Sequence, residues 1–334
     1  MRNLGVVHLG GDIATVVRGT QQAEAAGLAS AWTTEFYERS AVVTLAAMAQ
    51  ATARITLGSA IAYGVGRSPL VLAAEARDLD ELSGGRLILG LGTGTRRMMA
   101  DWHGVAPDAP ALRVEELVPL LRRFWRLDEA PIDHEGRFYR VRLQPTADFR
   151  VPLRRDIPIF LAGVNPRMVE AAGAVADGLV GHPLFTRRYV EEVVRPALDA
   201  GAARTGRAPV GIAGYLLCAV HDDAAVAREE VRGQIAFYAV VRTYRRILAL
   251  HGWERAADEI RTAWERRDRA GMLAAVTDDM VDAVAVAGTA ADVRRQLDAS
   301  AAVHYDHVLL YAPSYGLSDG RSAENVAASI AAVT

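Results

Sequence analysis

The run Leu79–Thr95, LDELSGGRLILGLGTGT, constrains the fold more than any other part of the chain. It joins a helix end, a Gly-Gly turn, a short apolar strand and a strand exit made of glycines. Glycines at a strand exit let backbone N–H groups come close to whatever lies beyond the sheet, and α/β proteins bind ligands at such exits. The run therefore predicts an α/β enzyme.

Strands alternate with helices on both sides of it. Leu4–Leu9 reads as a buried strand, followed by a helix capped by Asp12 and stopped by Gly27. Ser30–Thr34, Ile55–Ile61 and Arg86–Leu91 read as the next strands, with helices over Ser40–Ala51 and Leu70–Leu82 between them. Ile157–Ala162, Asp177–Gly181, Val210–Val220 and Tyr305–Tyr311 bring the strands to eight; Pro166–Gly173, Arg187–Arg204, Thr289–Ala299 and Arg321–Val333 read as helices. Arg113–Trp125 is an amphipathic helix with Pro119 in its first turn or at a kink. Three segments fall outside the repeat: a polar stretch at 95–112, an excursion at 128–156 with a hairpin around His134–Tyr139, and a region at 222–285. That last region reads as a long helix, Asp222–Leu250, and a charged helical segment, Trp253–Met280. The pattern predicts one (β/α)8 TIM barrel over residues 1–334, with insertions after strands 4 and 7. A Rossmann fold places its glycine fingerprint after the first strand, whereas GLGTG follows the fourth.

Composition narrows the function classes. Apolar residues make up 51% and charged residues 23%, and a net charge of −2 gives no reason to expect nucleic acid or an anionic membrane as a partner. No apolar run approaches the roughly 20 residues of a bilayer span, and MRNLGVVHLGGD lacks the regions of a signal peptide, so a cytoplasmic location is expected. The single cysteine, Cys218, lies in the apolar run GIAGYLLCAV and reads as a packed core thiol. The candidates at strand ends have no zinc-ligand spacing and the chain has no GxSxG elbow, so neither a metal site nor a hydrolase is expected.

Three blocks carry a family resemblance: SAWTTEFYERSAVVTLAAMAQATARITLGSAI, RSPLVLAAEARDLDELSGGRLILGLGTGT and IPIFLAGVNPRMVEAAGAVADGLV. In this order they resemble the bacterial luciferase-like flavin and deazaflavin oxidoreductases, over nearly the whole chain. The resemblance is nearest to the branch that uses the deazaflavin coenzyme F420, with methylenetetrahydromethanopterin reductase and sugar-phosphate dehydrogenase relatives. It implies a homodimeric barrel that holds the isoalloxazine-like ring at the carboxyl-terminal mouth. It also implies a bulge in strand three with a cis peptide at Ala60–Ile61. The cofactor contacts implied are Glu35, Ala60, Ile61, Gly92, Thr93 and Gly94, with Gly163, Val164 and Asn165 in one phosphate loop and Gly181 and His182 in the other. The helix opened by Pro166 would attract a phosphate on physical grounds alone, or be a plain helix start.

Other candidates keep two readings. Glu35 either orients the cofactor or relays a proton, or is a rim carboxylate paired with Arg39 or Arg67. His8 is a proton donor or a packing residue, and His103 a further candidate donor. Phe36, Tyr37 and Trp102 suit an apolar substrate wall, although Trp102 could simply anchor its loop. Where the sugar-phosphate dehydrogenase relatives have a glutamate after the glycine turn, this chain has Thr95, a poor acid, so their chemistry does not carry over. Arg96 and Arg97 either bind an anionic group or are solvated. The reaction expected is hydride transfer between coenzyme F420 and an apolar small molecule, with Glu35, His8 or His103 handling the proton. The alternatives are an FMN-dependent monooxygenase of the same fold, fed by a partner flavin reductase, and a non-catalytic cofactor-binding barrel. The apolar helix AVVTLAAMAQA at Ala41–Ala51 is a candidate dimer face or a helix buried on its own barrel.

Overall fold

The computed structural model of the protein describes residues 3–299 and 304–334. Parallel strands and helices alternate along it as in a (β/α)8 barrel, the expected architecture. The chain divides into two compact units. A terminal unit comprises Met1–Ala31, Gly181–Pro196 and Ile212–Thr334, and a central unit Trp32–Val180 and Ala197–Gly211.

In the central unit the strand Leu87–Gly92 lies between Thr56–Ser59 and Ile159–Ala162, pairing Leu57 with Leu87 and Leu89 with Ile159, all parallel. Gly178–Val180 follows on Ile159–Ala162. The strand expected over Ile55–Ile61 stops at Ser59 and resumes as Ala62–Tyr63, and the Ala60–Ile61 peptide between the two is cis, as the resemblance implied. A side chain at Gly90 would collide with the Ser59 carbonyl. That close approach lets Ser59 Oγ donate to Gly90 O (2.7 Å) and accept from Gly90 N (2.9 Å), which locks the two strands at the break.

The Gly-Gly turn also behaves as its residues require. Gly84 and Gly85 have φ of 67° and 81°, which glycine adopts at no steric cost and which ends the helix Pro69–Leu82. Arg86 then reaches back to the end of Ala41–Ala51 and donates to Ala49 O (3.1 Å), Thr52 O (3.0 Å) and Ile55 O (2.8 Å). A cation there satisfies helix-terminal carbonyls and complements the helix dipole. The helix expected over Arg113–Trp125 starts earlier and runs Pro110–Phe124, so Pro119 sits in its interior and not in its first turn. Burial of Val114, Leu117, Val118 and Leu121 offsets the roughly 3 kcal/mol that an interior proline costs.

The hairpin is formed by Ile132–Glu135 and Arg140–Leu143. Glu116 pins it to the helix, accepting from Tyr139 N (2.8 Å) and Phe138 N (3.0 Å) and lying 3.0 Å from His134 Nε2. Burial opposes ionisation of Glu116, but His134 and the two amides outweigh it and hold the carboxyl below its ordinary range. Glu116→Ala strands two amides, so the fold should lose about 1–3 kcal/mol and the Phe138 and Tyr139 amides should exchange faster. Unchanged protection of those amides in exchange measurements would remove Glu116 as the anchor.

In the terminal unit His307–Tyr311 pairs with Leu4–His8 and with the first half of Gly211–Val220. The second half of Gly211–Val220 takes a short strand absent from the sequence reading, Ala285–Gly288. Cys218 is buried here as expected, its thiol pushed up to about 11 by burial. The long helix expected over Asp222–Leu250 breaks after Ala239, and Arg245–Leu250 is a separate helix. The charged segment Trp253–Met280 is three helices, Glu254–Glu265, Arg269–Ala274 and Asp278–Val284. Its first break falls where Arg267 takes a left-handed φ of 57° and Asp268 caps the next helix through Gly271 N (2.8 Å).

Candidate functional site

The carboxyl ends of the central strands bring several predicted residues together. Glu35 leaves the strand Ser30–Thr33, and its amide donates to Ile61 O (2.9 Å) while Ala60 N donates to Thr33 O (2.7 Å). Its side chain then turns back over the same segment. Glu35 Oε2 accepts from Tyr63 N (2.8 Å) and from Arg67 Nη1 (2.8 Å), and Oε1 accepts from Arg67 Nη2 (2.6 Å). Arg67 Nε lies 2.7 Å from Glu75 Oε2 on the helix Pro69–Leu82, so one guanidinium bridges two carboxylates. Burial, eased by Arg67 and reinforced by the nearby Glu35, raises the Glu75 carboxyl above its ordinary range. Of the two partners weighed for Glu35, Arg67 is the one it takes, and Arg39 pairs through its backbone with Phe36.

Ala62–Tyr63 runs beside the end of Leu87–Gly92, with Ala62 opposite Leu91, Tyr63 opposite Gly92, and Gly64 N donating to Gly92 O (3.0 Å). A Cβ at Gly64, Gly92 or Gly94 would meet Leu117, Ile61 or the Tyr63 and Met98 side chains, so the glycines let these side chains pack tightly at the exit. Thr93 is buried, its hydroxyl donating to Gly94 O (3.1 Å). Thr95 Oγ1 accepts from Met98 N (3.3 Å) just before the π-helical turn Met98–Trp102. Arg97 pairs with Asp101 (3.1 Å) and Arg96 is exposed.

That turn presents Trp102 edge-on to Phe36, Tyr37 and Tyr63, with ring centroids 5.1, 5.6 and 6.4 Å apart. Phe36, Tyr37 and Trp102 keep 41%, 73% and 41% of their surface exposed, a large apolar investment at strand ends. His103 packs on Tyr63 at 4.8 Å, and its Nε2 is buried without a partner among the described residues. A polar atom in that condition is costly unless a ligand or water satisfies it. At Gly163–Asn165 the helix Pro166–Val175 begins without a side-chain cap, so its first turn still has N–H groups to offer.

The terminal unit holds the remaining candidates. His8 is buried against the helix Ile13–Ala25. Thr20 spends its hydroxyl proton on Val16 O (2.8 Å), so His8 Nε2–H donates to Thr20 Oγ1 (3.4 Å). Burial lowers its pKa to about 4, which leaves a neutral ring turned to the helix layer. His182 Nδ1 accepts from Leu184 N (3.2 Å), which puts the ring proton on Nε2, and burial lowers its pKa to about 3.

Sequence reasoning missed what surrounds His182. Tyr244 lies 3.9 Å and Tyr238 4.9 Å from its ring, Tyr238 and Tyr311 hydroxyls are 3.0 Å apart, and Tyr215 packs on Tyr311. Burial pushes Tyr244 up to about 12 and Tyr215, Tyr238 and Tyr311 further, so all stay protonated at neutral pH. The cluster offers neutral donors only.

Comparison with known proteins places this arrangement. The family model described as luciferase-like monooxygenase matches residues 1–307. The chain belongs to that family. Among luciferase-like relatives, an uncharacterised protein of Mycobacterium tuberculosis is 35% identical over 270 residues, spanning 78% of this chain and 79% of its own. A putative coenzyme F420-dependent oxidoreductase of the same organism is 29% identical over 300 residues, spanning 82% and 84%. The coenzyme F420 dependent tetrahydromethanopterin reductase of Methanopyrus kandleri superposes with a TM-score of 0.80 at 24% identity, covering 98% of both chains. This luciferase-like chain therefore has their barrel fold, and it is an oxidoreductase by family. Among its described residues no helix is long and apolar enough to cross a membrane.

Proposed function

We propose that the protein is a coenzyme F420-dependent oxidoreductase acting on an apolar small molecule. The observation that carries the reading is the strand exit at Gly64, Gly92 and Gly94, where Ile61 and Met98 pack closely, flanked by the turn Ala60–Tyr63 and by the aromatic side chains Phe36, Tyr37 and Trp102. A flat polycyclic ring suits a closely packed strand exit with aromatic side chains at its edge. The unpartnered Nε2 of His103 is a buried polar atom such a group would satisfy. Relatives named for coenzyme F420 support the deazaflavin as the group bound.

When bound, the deazaflavin supplies a two-electron hydride carrier. Everything else falls to the chain. Glu35, engaged by Arg67 and Tyr63 N, orients backbone and does not carry a proton. His103 Nε2 is the ring nitrogen left to hold or move one. Phe36, Tyr37 and Trp102 exclude water and receive the apolar substrate. The open helix start at Asn165–Pro166 offers N–H donors to the cofactor phosphate. A homodimer belongs to this reading.

Titration of the purified protein with F420 and with FMN, each oxidised and reduced and followed by tryptophan quenching, tests it. Saturable F420 binding with weak FMN binding is expected. Tighter binding of reduced FMN would replace the proposal with an oxygen-using monooxygenase.

A further inference from the structure

We infer that Arg67, backed by Glu75, is a positioning residue that holds Glu35 and through it the Ala60–Tyr63 backbone in a form ready for a planar ring. The inference rests on the cofactor reading above and adds to it that Arg67 and Glu75 are what hold Glu35 in place.

Three observations carry it. Arg67 meets Glu35 through two parallel hydrogen bonds, 2.8 and 2.6 Å, the fork geometry that fixes a carboxylate in orientation as well as in place. The carboxylate so fixed spends its remaining capacity on Tyr63 N at 2.8 Å, an amide inside the segment at issue. Arg67 Nε faces Glu75 at 2.7 Å, so the guanidinium is held from behind by a helix of the scaffold and cannot swing away without leaving a second carboxylate unpaired. The chain of contacts runs from the helix Pro69–Leu82 to the strand exit, with Glu35 9%, Arg67 17% and Glu75 29% exposed. Pairs shielded in this way are weakened little by salt and keep one geometry. A lysine in place of Arg67 could meet one carboxylate but not hold Glu35 in the fork.

The test uses Arg67→Met, Arg67→Lys and Glu75→Gln in the full chain. Two readouts are taken besides melting temperature: amide exchange at residues 60–67 without cofactor, and the dissociation constant for F420 with the absorption band of the bound ring. Arg67→Met should speed exchange of the Tyr63 amide and weaken F420 binding about tenfold or more, since it leaves the buried Glu35 carboxylate without its cation. Arg67→Lys should restore part of both. Glu75→Gln should weaken binding about two- to fivefold, as for one partly exposed ion pair. Should Arg67→Met not fold, Glu75→Gln and Arg67→Lys carry the same comparison. Folded variants with wild-type exchange at Tyr63 and wild-type affinity would overturn the inference. If the wild-type protein binds no F420, the cofactor reading fails, and the exchange data alone decide whether Arg67 positions the segment.

Discussion

Lowering the pH from 6.5 to 5 should cost this protein about 3 kcal/mol of folding stability through two buried histidines, before most ordinary carboxylates titrate. The two are His8 and His182, both buried and held neutral, with pKa values lowered to about 4 and about 3; His304 and His307, each lowered to about 4 by burial, add in the same direction. In the unfolded chain all of them return to about 6.5. Between those values the unfolded state binds protons that the folded state refuses, so stability is complete above pH 6.5 and falls as the pH drops toward the folded pKa values. Each histidine contributes about 1.4 kcal/mol per pH unit inside the window. Glu75, whose carboxyl is raised by burial, works the other way and trims the loss. Denaturant titrations at pH 7, 6 and 5 measure the slope, and His8→Gln should reduce it by about one proton. A flat profile over this range would mean that His8 and His182 protonate in place, against the packing seen at Thr20 and Tyr244.

Much of the barrel was legible because its period is carried by residues with local physical roles. Asp12, Ser40 and Ser68 cap helices through amides three residues on, and Gly84-Gly85 closes one, so those boundaries are written in the sequence. The failures fall where a local rule is broken by context. Arg267 adopts a left-handed turn that normally announces itself with glycine, and the split of Trp253–Met280 was therefore invisible. Ala285–Gly288 begins directly after the helix Asp278–Val284 with no breaker between them, and four small residues give no strand period. Pro119 left two positions open, a first turn or an interior kink, and it lies inside the helix, where the apolar stripe around it outweighs the proline.

The candidate site was legible in its backbone and less so in its partners. Glycine exits, an aromatic pair and a carboxylate can be read where they stand. Pairing cannot, since Arg67 is 32 residues from Glu35 and only the strand topology brings them into register. The tyrosine cluster shows the same limit more sharply: Tyr215, Tyr238, Tyr244 and Tyr311 come from two strands, a helix and a short turn, and none has a motif. His8 differs again. Strand alternation decides which way its ring points, and the structure turns it to the helix layer, where Gly19 makes room for it.

Replacing Asp80 by alanine should be the most damaging single truncation of a charge in the central unit. Asp80 is 1% exposed at the end of the helix Pro69–Leu82, and it accepts Arg154 Nε at 3.1 and 3.0 Å as well as Arg154 Nη2. Arg154 also donates to Leu87 O (2.8 Å), so this one guanidinium ties the 128–156 excursion to the start of the strand that carries the glycine exit. The alanine variant leaves that cation without its anion. Breaking a buried pair costs about 3–5 kcal/mol, and because Arg154 keeps 32% of its side chain in water the lower end, about 3 kcal/mol, is expected. Truncating both partners should cost less than the sum, since Asp80→Ala with Arg154→Met removes the stranded charge together with the bond. Urea denaturation of both single variants and the pair measures this coupling. Additive losses, or a loss below about 1 kcal/mol for Asp80→Ala, would mean that the excursion is held by its apolar contacts and that the ion pair is incidental.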